Sequence, residues 1–168
     1  MSIVERLKQL DDASLAAALT NCCGSRRWVR QIAAERSFFS DEQLFEKASD
    51  VWHRLGREDW LEAFAAHPRI GDLKALHSKF AATRAWAGGE QAGVAGAADD
   101  VLQRLLTLNR QYEKRFGYIF IVCATGKTAE EMLTILESRL ANDEKTELRL
   151  AAAEQMKITL LRLRKLVL

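Results

Sequence analysis

The sequence predicts an all-α protein, a single irregular helical bundle with one short buried extended segment near residues 118–124. Apolar residues recur at three- and four-residue intervals along most of the chain, which is the signature of amphipathic helices. One proline and nine glycines in 168 residues are too few for a turn-rich β fold. Only one run reads as a strand, and nothing resembling a second strand is available to pair with it. At this length a compact fold hides roughly 70% of its unfolded surface, so a core can form without disulfide or metal staples. We therefore expect one domain, residues 1–168.

The elements follow in order. Leu15, Leu19 and Cys22 line up behind the acidic pair Asp11 and Asp12, which suits a helix N-terminus. From about Ser25, Trp28, Ile32 and Ala33 share a face. Ser40-Asp-Glu-Gln43 is a capping-box pattern opening a helix with the stripe Leu44, Ala48, Val51, Trp52 and Leu55. Gly56 should end that helix, and a short one follows with Trp60, Leu61 and Phe64. The pattern breaks at His67-Pro-Arg-Ile-Gly-Asp72 and resumes from Leu73 to about Trp86. Gly88 and Gly89 should interrupt it, since adjacent glycines cost a helix on the order of 2 kcal/mol relative to alanine. A long helix is expected over residues 98–116, with Val101, Leu105, Leu108 and Tyr112 in line. Thr128-Ala-Glu-Glu131 caps the next, which carries Met132, Ile135 and Leu136. Asn142 or Asp143 opens the last, which can run to the C-terminus. Tyr118-Ile-Phe-Ile-Val-Cys-Ala124 favours extended backbone by its β-branched and aromatic content. It either continues the preceding helix or lies buried and extended, with main-chain groups able to hold a polar ligand.

Composition excludes several function classes. The formal charge of +2 is too even for a protein that lives on nucleic-acid phosphates. The longest apolar run, seven residues, is far short of the ~20 that span a membrane. Residues 1–12 lack the basic and apolar regions of a secretory signal, so a cytoplasmic protein is expected. Cys22, Cys23 and Cys123 form no CxxC pair, and the expected state is reduced, partly buried thiols. No two histidines stand four apart, so an HExxH metal site is excluded, and no metal is expected.

Chemistry concentrates around the proline. Pro68 pushes His67 out of helical geometry, so its imidazole can face a cleft. The plainer alternative is a helix–helix turn with His67 favourable to the helix dipole. His53 and His77 read as surface residues. Glu90, near a helix start, either stabilises that dipole or orients an imidazole across a pocket. Arg162 and Arg164 have equal claims to lie along an apolar line, and a buried arginine would need an anionic partner.

Together these motifs resemble the family of decarboxylases acting on 2-oxo-4-hydroxy-4-carboxy-5-ureidoimidazoline (OHCU) in urate breakdown. The residues concerned are His67 to Asp72, Glu90-Gln-Ala-Gly93, Leu108-Asn-Arg-Gln-Tyr112, Phe116 to Ala124 and Arg162-Leu163. The resemblance runs from the Asn21-Cys-Cys-Gly24 region to Val167. It implies a cofactor-free, all-helical, homodimeric carboxy-lyase that converts OHCU to (S)-allantoin and carbon dioxide, with no nucleic-acid or membrane partner. It further implies His67 as the catalytic histidine, Glu90 as its partner carboxylate and Arg162 as the active-site arginine. Substrate contacts would fall to Pro68, Ala87, Gly88, Gly89, Glu90, Gln91, Arg162 and the backbone of Phe120, Ile121, Val122, Cys123 and Ala124. The family usually has serine where Ala87 stands, so a hydroxyl contact there is expected to be missing or replaced by backbone. Three other readings stay open on residues alone: a non-enzymatic helical ligand- or partner-binding module, a nucleic-acid binder using a local patch of Lys157, Arg162, Arg164 and Lys165, and a hydrolase of a related ureido compound.

Overall fold

The computed structural model describes residues 1–35, 37–69, 71, 73–74, 76–78, 80 and 92–166, and for 92–98 the backbone. All the bounded elements among them are helices: α1 (Ile3–Gln9), α2 (Asp12–Cys22), α3 (Arg26–Ala34), α4 (Asp41–Arg54), α5 (Arg57–Ala65), α6 (Ala92–Phe116), α7 (Ala129–Leu140) and α8 (Glu144–Arg164). Residues 73, 74, 76–78 and 80 are helical as well, as expected for the segment after the proline. The remainder expected in that helix, residues 81–86, lies outside the described residues. The chain divides into two compact units. The first comprises Met1–His67, Ile121–Cys123 and Leu150–Leu168, the second Pro68–Phe120 and Ala124–Arg149.

In the first unit the N-termini obey local chemistry. Asp11, Ser25 and Ser40 accept from the backbone N–H three residues on, opening α2, α3 and α4. The Ser40 box closes differently from the expectation, because the Gln43 amide takes the Phe39 N–H (2.9 Å). Helix α1 was not anticipated, although Ser2 and Glu5 form a full capping box there. Asp41, the first residue of α4, also accepts from the N–H groups of Ile3 and Val4 at 3.2 and 2.9 Å. Helix α4 ends just before Gly56, which stands one residue past its C-cap and also opens α5, donating to Asp59 at 3.2 Å. Three indoles knit the core: Trp28 donates to the Ala48 carbonyl at 3.0 Å, Trp52 to Ala152 at 2.8 Å and Trp60 to Trp52 at 3.2 Å. Trp28 and Trp52 are fully buried and Trp60 half-buried, and each indole N–H stays satisfied.

The second unit is built on α6. Leu102, Leu105, Leu108, Tyr112 and Phe116 form its buried stripe, with Leu102 rather than Val101 at the first position. The helix begins at least six residues earlier than residue 98. Gly117 ends it at φ +80, a left-handed conformation that a Cβ would strain. The chain then leaves helical geometry, and residues 118–124 are neither helix nor strand. Tyr118 is buried and Phe120 half-buried, both edge-on to Tyr112 at 5.9 and 5.3 Å. Asp143 caps α8 through Thr146 (2.9 Å), and α8 stops at Arg164 rather than at the C-terminus.

Candidate active site

His67 follows the last turn of α5, its N–H still bonded to the Phe64 carbonyl at 3.1 Å. The next residue, Pro68, disfavours helical geometry at His67, so the helix ends here. Gly24 lets the α2–α3 link pass close by: a Cβ at Gly24 would lie 2.3 Å from the Ala66 Cβ, immediately before the histidine. The imidazole is half-buried, and its Nε2 stands 2.6 Å from Oε1 of Gln155 on α8. Gln155 is fully buried and donates onward to the Thr159 hydroxyl at 3.2 Å. That hydroxyl lies 3.0 Å from the Gln155 main-chain carbonyl, to which it donates.

Gln155, Thr159 and Arg162 recur at four and three residues, so they share one face of α8. The end of α2 meets that face. The Arg162 guanidinium approaches the Asn21 carbonyl at 3.4 Å, and the Cys23 thiol lies within reach of the Thr159 side chain. Burial pushes the thiols of Cys22 and Cys23 up to about 11, outweighing the nearby Arg162 charge. Both are protonated near neutrality and poor nucleophiles. Glu154, one residue before Gln155, accepts the Cys123 N–H at 2.7 Å and pairs with Lys157. Neighbouring residues of α8 thus hold His67 and the Cys123 backbone in one unit.

The expected site residues are placed as follows. His67, Arg162 and Ile121–Cys123 belong to the first unit, with Arg162 exposed. Pro68, Phe120 and Ala124 belong to the second, where Phe120 lies under the Arg139 guanidinium at 4.7 Å. Arg69 pairs with Glu113 in that unit. Ala87, Gly88, Gly89, Glu90 and Gln91 lie outside the described residues, as does Asp72. Arg164 is exposed and stacks over Phe45 at 5.2 Å, so neither C-terminal arginine is buried. Among the described residues the buried arginine is Arg139, paired with Glu147. His53 is exposed, and half-buried His77 faces Asp99 at 2.9 Å. Sequence reasoning passed over Gln155 and Thr159. Their four-residue spacing was visible, but a glutamine in an alanine-rich helix carries no mark of burial.

The fold is a helical scaffold with a histidine at a helix end, held by a buried amide on the face of α8 that also carries the exposed Arg162. The family model described as OHCU decarboxylase matches residues 8–164, and the chain belongs to that family. It is similar to the uric acid degradation bifunctional protein TTL of Arabidopsis thaliana, 41% identical over 148 residues, covering 86% of this chain and 45% of that protein. It is 27% identical over 161 residues to the 2-oxo-4-hydroxy-4-carboxy-5-ureidoimidazoline decarboxylase of Haloferax volcanii, covering 95% and 93%. The fold matches a crystal structure of OHCU decarboxylase in the presence of (S)-allantoin, with TM-score 0.71, 37% identity and 94% and 98% coverage. The chain spans less than half the length of the bifunctional relatives it matches.

Proposed function

We propose that residues 1–168 act as one cytoplasmic, homodimeric domain that decarboxylates OHCU to (S)-allantoin and carbon dioxide without a cofactor. The observation that carries this reading is His67 itself, released from α5 by Pro68 and gripped by a buried side chain, in a member of this family. Loss of carbon dioxide leaves an electron pair, which the conjugated ring nitrogen of the substrate can receive. The protein must then place the carboxylate, stabilise developing charge and deliver a proton to one face. An imidazole, with an unperturbed pKa of about 6.5, can serve as acid or base near neutrality. In this reading Glu90 orients His67, and Arg162 offers a planar fork to the substrate anion. Pro68, the residues from Ala87 to Gln91 and the backbone from Phe120 to Ala124 complete the contacts.

The test supplies freshly generated OHCU and follows the handedness of the allantoin by circular dichroism. The expected result is faster decay with predominantly (S)-allantoin. Racemic product at the uncatalysed rate, with folded protein present, would remove the assignment.

A further inference from the structure

We propose that Gln155 is the positioning residue of His67: its amide oxygen takes the Nε2–H, so the neutral imidazole is held as one tautomer with its basic lone pair on Nδ1. This rests on His67 being the acid–base group. The argument runs through the two unlike ends of the amide. A main-chain carbonyl can only accept, so the Thr159 hydroxyl proton is committed to the Gln155 carbonyl 3.0 Å away. The Thr159 oxygen is then an acceptor toward Gln155, 3.2 Å from its side-chain nitrogen. The end of the amide that faces Thr159 is therefore the NH₂, and the oxygen is left facing His67 at 2.6 Å. An amide oxygen cannot donate, so the proton of that contact belongs to the imidazole.

Burial makes this orientation firm. Gln155 is 0% exposed and Thr159 1% exposed, so no bulk water is available to satisfy a flipped amide. Reversing the amide would set its oxygen against the Thr159 oxygen, so the hydroxyl would have to turn from the carbonyl it meets at 3.0 Å. The Cys23 thiol at the end of α2 lies within reach of the Thr159 side chain. Charges acting on that thiol come from Arg162 on α8 and Glu62 on α5. A carboxylate such as Glu90 can orient an imidazole from one side. Gln155 fixes the other nitrogen without adding charge.

Three measurements decide it. Ring ¹⁵N spectra of the wild-type protein should show His67 protonated at Nε2 once neutral; protonation at Nδ1 would overturn the proposal, whatever the variants do. Gln155→Leu should lower kcat about 10-fold or more, a share of the ~10²–10⁴ that a placed acid–base group provides, while KM stays within about 2-fold. Gln155→Glu keeps an acceptor and should recover most of that kcat, while the added charge moves the His67 titration upward. Wild-type kcat in Gln155→Leu, or an unmoved titration in Gln155→Glu, would also overturn it. If His67→Asn is fully active, the acid–base reading itself falls. If His67→Asn is inactive but Gln155→Leu is normal, only the positioning role falls.

Discussion

In the second unit the Glu147 carboxylate is 0% exposed and every contact on it is a donor: Tyr112 and Arg139 on one oxygen, Asn142 at 2.9 Å on the other. Arg139, also buried, stacks over the Phe120 ring. In the first unit the buried relay of Gln155 and Thr159 is neutral, and it ends on a half-buried histidine beside solvent. The first arrangement seals two opposite charges and holds both fixed, since breaking it would strand an ion in low dielectric. The second leaves one titratable group at its mouth. A closed ionic network serves the fold, whereas a neutral network that ends on a half-buried imidazole can serve a proton transfer.

That contrast can be broken from either side. Glu147→Leu should cost the most stability, about 3–5 kcal/mol in urea denaturation, because it leaves Arg139 buried without its counter-ion. His67→Asn should do the reverse, losing at least ~10²-fold in turnover with the unfolding midpoint little moved. Gly24→Ala falls between them. Its new Cβ would clash with Ala66, costing about 1–3 kcal/mol and displacing the histidine, so kcat should fall alongside the denaturation midpoint. Arg162→Lys keeps the charge but loses the fork, and steady-state kinetics should show a raised KM, possible only if Arg162 holds the substrate anion.

The smallest effect concerns pH. Cys22 and Cys23 release their protons near 9.0 when unfolded and near about 11 when folded, because burial disfavours the thiolate. Between those values the unfolded chain has lost protons that the folded one retains, so rising pH favours unfolding. Their contribution is fully present below pH 9 and fades toward 11. Tyr112 is pushed upward too, by burial first and then by its bond to Glu147, and adds to the same trend. A Cys22→Ala/Cys23→Ala double variant should show a shallower fall of midpoint over that window. An unchanged slope would put the alkaline sensitivity in the Tyr112 network.

Much of this was legible beforehand. The capping residues Ser25, Ser40 and Thr128 and the α4 stripe sit where periodicity put them, because caps and stripes are local properties. The displacement of a helix by the proline at His67 was equally local. Arg139 and Gln155 were not legible, since neither carries a signal in its neighbours. One stands in an ordinary last turn and the other in an alanine-rich helix, and each is buried by partners 8 and 88 residues away.

The sequence by itself determined the helices other than α1, their starts except that of α6, the non-helical run after Gly117 and the placing of a histidine at a helix end. These depend on backbone propensity and on side chains within a few residues. Tertiary structure alone decided which polar groups leave water: Gln155 against His67, Glu154 against the Cys123 N–H, and Glu147 against Arg139 and Tyr112. Burying a polar atom is tolerable only when a partner meets it at hydrogen-bond distance. Most of these partners are brought by packing from distant parts of the chain, which no local pattern records.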